Sequence, residues 1–201
     1  MSHAITKELK THAPFTLLGA VSGILLMAGI LLVKVRAAAL EPAFEASHAA
    51  HVFLSAMVTA GVYRRHGGRA LACLLVGCVG AVSIGTLSDI VFPYLGGELL
   101  GADMHFHLAF IDHWWLINPA ALVGAALALV SPRTKLPHSG HVLLSTWASL
   151  FYLNANAAAP WTLPMLAPVL VVLFIAVWVP CCLSDIVFPL ACLGCHVEHE
   201  H

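Results

Sequence analysis

The sequence predicts an all-α integral membrane protein with six transmembrane helices, arranged as two three-helix repeats of inverted topology. Of its 201 residues, 60% are hydrophobic and only 9% are charged, whereas a soluble domain carries roughly a quarter charged residues. The apolar residues gather in six stretches, each near or above the roughly 17 residues that span a bilayer. Two polar blocks also recur in the same order in both halves of the chain.

The six apolar stretches predict transmembrane helices 1 to 6. They cover about 14–35, 43–63, 70–95, 114–130, 138–159 and 162–190. The first is too long for the apolar core of a secretory signal, and Lys34 and Arg36 separate it from the small residues that cleavage would need, so we interpret it as a span. Four prolines interrupt the last stretch and predict kinks or an unwound segment there.

The positive charges predict how these helices are oriented. If the N-terminus is cytoplasmic, seven of the nine lysines and arginines fall inside, and only Lys34 and Arg36 fall outside. This positive-inside bias predicts a bacterial-type inner membrane protein with both termini in the cytoplasm. The net charge is −1 and no basic tract occurs, which excludes a nucleic-acid partner. The expected partners are the lipid bilayer and a metal ion, and a homo-oligomer stays open.

Two blocks of sequence occur twice, and their order predicts the inverted topology. HAAHVFLS at 48–55 returns as HSGHVLLS at 138–145, and LSDIVFP at 87–93 returns unchanged at 183–189. Each copy spans the membrane three times, so the second copy enters from the opposite side. We expect repeat one over 1–110, with an outer His-rich loop, and repeat two over 111–201, with a cytoplasmic Cys/His tail. Many secondary transporters are built from inverted repeats.

The repeated polar residues predict two clusters. His48, His51 and Ser55 share one helix face, and Asp89 ends the next span on the same side, so these groups can meet. The repeat predicts an equivalent cluster of His138, His141 and Asp185 near the inner side, or one elongated site if the helices tilt toward the midplane. A proline four residues after each aspartate removes the helical donor to the main-chain oxygen of that aspartate.

Two imidazoles and a carboxylate suit a divalent transition metal; zinc is favoured, and iron, cobalt, nickel, manganese or copper are alternatives. A single copy would be better explained as a packing and kink motif, but the matched duplication favours a working site. Residues expected to orient the ligands are Glu45, Ser55, Ser88, Ser145 and Ser184. Secondary metal candidates are His105, His107 and His113 in the outer loop and Cys192, Cys195 and His196 in the tail. Solvated loop histidines and an unstructured tail are the alternatives for these two groups.

Several functions fit this pattern. A divalent metal-ion transporter is favoured because the predicted polar clusters lie at opposite faces of an inverted repeat. An intramembrane metal-dependent hydrolase of a lipid-like ester or amide is an alternative, so enzyme activity stays open. The tail matches the CxxCH pattern of c-type haem attachment, but the charge bias puts it on the wrong side, and we do not expect haem. A haem-binding electron-transfer subunit and a proton-coupled carrier of an organic solute, with Asp89 and Asp185 as proton sites, are the remaining readings.

Overall fold

The protein is described by a computed structural model over residues 2–131, 135–182, 187–189 and 191–192, with side chains over 13–131, 140–181, 187–189 and 191–192. The chain is 85% helical, and no strand occurs in these ranges. The prediction of an all-α protein is confirmed. The main helices are α1 (Ser2–Val33), α2 (Glu41–Arg65), α3 (Ala70–Thr86), α4 (Phe92–Leu99), α5 (Ala109–Asp112), α6 (Trp114–Val130), α7 (Lys135–Asn156) and α8 (Leu166–Cys182).

Three described stretches are long and apolar enough to cross a membrane. They are Ala13–Val33, Ala70–Leu99 and Leu163–Cys181. Only 33%, 33% and 28% of their most apolar windows is buried inside the protein, so their outer faces are compatible with contact to lipid. Helix α6 is also apolar but shorter, at 17 residues.

Helices α2 and α7 lie at the centre of the bundle and pack against each other. α2 also contacts α3 and α6, whereas α7 also contacts α1 and α8. Small residues allow the close approach around α2, as is common between membrane helices. A Cβ at Gly124 of α6, for example, would overlap the main-chain oxygen of Phe53 on α2.

The two central helices bury polar side chains where an apolar core would be expected. On α2 and α7 together these are Ser47, His48, His51, Ser55, Thr59, His141, Ser145, Thr146, Ser149, Asn154 and Asn156. Buried polar groups need hydrogen-bond partners, because an unsatisfied one costs free energy of folding. The α2–α7 contact, which buries these polar groups, therefore contains the candidate functional site.

A π-helical turn, Leu87–Val91, joins α3 to α4 and carries Asp89. The Phe92 N–H donates to the Leu87 carbonyl, five residues back. In that register Pro93, which has no N–H, stands opposite the carbonyl of Ser88. Simple α-helical spacing predicts that the Asp89 carbonyl lacks a main-chain donor. In the π turn the hydrogen-bond register shifts by one residue, so the carbonyl without a donor is that of Ser88. Such turns frequently occur at functional sites.

Candidate metal centre

The Asp89 carboxylate lies at the centre of a fully buried polar group. Its Oδ2 atom lies 2.8 Å from Nδ1 of His48 and 2.6 Å from Nδ1 of His51. Its Oδ1 atom accepts hydrogen bonds from the hydroxyls of Ser88, at 2.7 Å, and Ser145, at 2.6 Å. The two carboxylate oxygens therefore have different partners: imidazoles on one and hydroxyls on the other.

This arrangement places three potential metal ligands together. His48, His51 and Asp89 each offer a ligand atom, and these atoms lie within 4.8 Å of one another. The sequence predicted that these three residues can meet, and the structure places them together. One further atom of this set, Nε2 of His48, is buried and has no hydrogen-bond partner within the described part of the chain. A buried nitrogen in that condition is rare, and it is distinct from Nδ1, through which His48 meets Asp89.

Helix α7 brings the second copy of the repeated block to the same carboxylate. Ser145 bonds to Asp89, as described, and the ring of His141 stacks on that of His51, with centroids 5.8 Å apart and planes 11° apart. Ser149, one turn further along, shares its hydroxyl proton between the Ser88 carbonyl, at 3.0 Å, and the Ser145 carbonyl, at 2.8 Å. The bond to Ser88 satisfies the oxygen that the π turn and Pro93 leave without a main-chain donor.

Of the predicted second cluster, His141 and Ser145 adjoin the first cluster. The rest of the predicted second cluster lies outside the described side chains, namely His138, Ser184 and Asp185. The same is true of Cys195 and His196 in the tail. Of the remaining predictions, Ser55 is buried on α2 and Cys192 is half-buried.

A second group lies at the start of α2. Glu41, Glu45 and His113 also bring ligand atoms within 4.8 Å of one another. His113 Nδ1 lies 3.2 Å from Glu45 Oε1, and His107 Nε2 lies 3.6 Å from Glu41 Oε1. Glu45, predicted to be one of the residues that orient the ligands, pairs with His113, because the loop before α6 folds over the first turns of α2.

The two other outer-loop histidines differ in their surroundings. The ring of His107 packs between Phe44 and Tyr152, with centroids 5.6 and 5.4 Å away. Burial lowers the pKa of His107 below 6.5, although Glu41 and Asp112 act to raise it; the neutral ring is the form that binds metal. His105 is held through its main chain, whose N–H donates to Asn156 and whose carbonyl accepts from Tyr152.

Sequence reasoning missed two residues of the central group. Ser149 follows Ser145 by four residues and so shares its helix face. That spacing could have identified Ser149, but the repeated block ends at Ser145 and does not include it. Cys181 lies with its sulfur 3.8 Å from the Ser145 hydroxyl. The spacing of residues along the sequence does not predict that α8 lies next to α7 at that point.

No protein-family model, curated protein or solved structure matches this chain. The central group is fully buried, whereas the group at the start of α2 is partly exposed.

Proposed function

We propose that this protein is a divalent transition-metal transporter whose central site is formed by His48, His51 and Asp89. The observation that carries the proposal is the convergence of two buried imidazoles on one buried carboxylate, inside a bundle with membrane-compatible helices. Ionisable groups inside a membrane are costly and mark ion pathways. The nitrogen and oxygen donors suit zinc, which we favour, and also iron, cobalt, nickel, manganese and copper.

The hydrogen bonds favour one mode of coordination. Both Nδ1 atoms approach Oδ2 of Asp89 at hydrogen-bond distance, 2.8 and 2.6 Å. A metal ion would displace the protons of these two contacts and widen each separation to about 3.4 Å. The hydroxyls of Ser88 and Ser145 occupy Oδ1 and leave Oδ2 as the coordinating oxygen. Three protein ligands leave a coordination position open, which a transported ion needs in order to exchange.

The helix contacts support the inverted repeat. If α2 is equivalent to α7, α3 to α8 and α6 to α1, then the contacts among these six helices fall into matched pairs. The pair α2–α6 corresponds to α7–α1, α2–α3 to α7–α8, and α3–α6 to α8–α1, and all six contacts are present. Six spans with cytoplasmic termini in a bacterial-type inner membrane follow from this proposal. Rocking of one repeat against the other would expose the site alternately.

Metal flux into proteoliposomes tests the proposal. The wild-type protein should admit Zn²⁺ to an encapsulated indicator, and His51→Ala should abolish the flux because a ligand is lost. The matched control is His66→Ala, which removes an exposed histidine whose ring contacts the Val62 carbonyl. Flux that survives in His51→Ala would overturn the assignment of the site.

The same samples separate transport from the alternatives. Metal content by mass spectrometry should be stoichiometric in the wild type and in His66→Ala, and should fall in His51→Ala. Bound metal without flux, together with cleavage of a lipid-like ester or amide, would instead establish the hydrolase. A Soret band in the absorption spectrum would establish haem binding.

A further inference from the structure

The group at the start of α2 has the composition and spacing of a metal site. Glu41 and Glu45 stand four residues apart on consecutive helical turns, and His113 reaches them from the residue before α6. Tetrahedral coordination with bonds of 2.0–2.2 Å separates neighbouring ligand atoms by about 3.4 Å. The distances from His113 to Glu45, 3.2 Å, and from His107 to Glu41, 3.6 Å, lie on either side of that value.

His107 supplies a second observation. Its Nε2 atom is buried and makes no hydrogen bond to any residue that the structure describes, although Glu41 stands 3.6 Å away. Because Phe44 and Tyr152 flank the ring, it cannot turn to another partner without losing these contacts. A cation held between the nitrogen and the carboxylate would satisfy both.

The charge balance points the same way. The two glutamates find only His107 and His113 as ion-pair partners within the described ranges. The two carboxylates together carry a charge of −2, which a divalent cation bound between them neutralises. A lysine or arginine paired with either glutamate would have removed that charge.

The group also lies next to the central site along one helix. Glu45 precedes His48 by three residues, a rise of about 4.5 Å along the axis. The ring of Phe44 stacks on that of His48, at 5.5 Å and 15°, and also contacts His107. An ion held by the outer group is therefore one helical turn from the first ligand of the central site.

We propose that Glu41, Glu45 and His113 form a second divalent-metal site, partly open to solvent and with His107 at its edge beside Glu41, which captures the ion before it reaches His48, His51 and Asp89. The capture role rests on the proposed transport function, but binding of metal at this site does not. Its acidic, partly exposed ligands make it the more readily exchanging of the two sites.

Equilibrium binding of Co²⁺, read from its visible absorption and from metal content, tests the site itself. The wild type should bind two ions, the double variant E41Q/H113A one, and His51→Ala one. Asp103→Asn, which removes an exposed outer-loop carboxylate, is the matched control and should bind two. The glutamine substitution preserves shape, and circular dichroism checks that each variant is folded.

The outcomes separate the two sites. Loss of no ion in E41Q/H113A would overturn the outer site and leave the central site standing. A single wild-type ion, lost only in E41Q/H113A, would support the outer site and overturn the proposed function instead.

The rate at which limiting Co²⁺ fills the central site tests the capture role. In E41Q/H113A, stopped-flow absorption should show the loading of Co²⁺ slowed about tenfold or more. Charged groups that attract an ion electrostatically raise its association rate by at least that factor. The final occupancy of the central site should be unchanged. Equal loading rates in E41Q/H113A and wild type would overturn the capture role.

Discussion

The two copies of the repeated block meet the same carboxylate in different ways. Helix α2 contacts Asp89 with the first and fourth positions of its block, His48 and His51. Helix α7 contacts it with the eighth position, Ser145. Asp89 therefore receives imidazoles on one oxygen and hydroxyls on the other. Similar blocks thus take different roles, because α2 and α7 pass the carboxylate at different points along their length.

Asp89→Asn should have the largest effect, because it removes the group that both helices share. The amide has one acceptor oxygen and no charge, so it cannot serve the two imidazoles and two hydroxyls together. We expect the metal affinity of the central site to fall by more than about 100-fold, beyond the range of outer-shell substitutions. Titration against a competing chelator measures it, with Asp103→Asn as the control. Affinity that stays within tenfold of the wild type would contradict the central role of Asp89.

Ser145→Ala should have an intermediate effect, because it removes the α7 donor to Oδ1 and leaves the α2 imidazoles in place. Loss of such an orienting hydrogen bond typically lowers metal affinity by about 10–100-fold. The control is Ser22→Ala, which removes a hydroxyl on α1 that donates to the Gly19 carbonyl and accepts from the Trp147 indole N–H, away from Asp89. An effect as large as that of Asp89→Asn would mean that Ser145 is itself a ligand. It would contradict the assignment of ligands to α2 and of an orienting hydroxyl to α7.

Ser149→Ala should affect stability more than metal binding. It leaves the Ser88 carbonyl without the hydroxyl that replaces its main-chain donor, at a cost of about 1–3 kcal/mol. Thermal unfolding in detergent should show a lower Tm, and Ser149→Thr, which keeps the hydroxyl, should recover it. An unchanged Tm in Ser149→Ala would show that the carbonyl finds another donor.

Ser55→Ala should have the smallest effect on the central site, because Ser55 occupies on α2 the position that Ser145 occupies on α7. If the proposed inverted repeat holds, Ser55 is expected to pair with Asp185 in the second cluster. A double-mutant cycle of Ser55→Ala with Asp185→Asn should therefore give a coupling of about 0.5–3 kcal/mol in thermal unfolding. Additive effects of the two substitutions would count against the inverted repeat.

The sequence by itself determined the helical class, the membrane-compatible composition and most of the polar residues that lie around Asp89. Hydrophobic stretch length and the face shared by His48 and His51 are local properties, so they can be read from spacing alone. The meeting of these histidines with Asp89 also followed, because short connections place successive antiparallel helices side by side.

Only the tertiary structure decided which groups from other helices complete each site. Ser145 reaches Asp89, and Glu45 turns to His113, because of how far α7 and the outer loop are shifted along α2. Such offsets depend on close contacts between helices, such as that of Gly124 with Phe53, and not on local periodicity. The π turn likewise moves the carbonyl lacking a donor to Ser88, where a hydroxyl from α7 satisfies it.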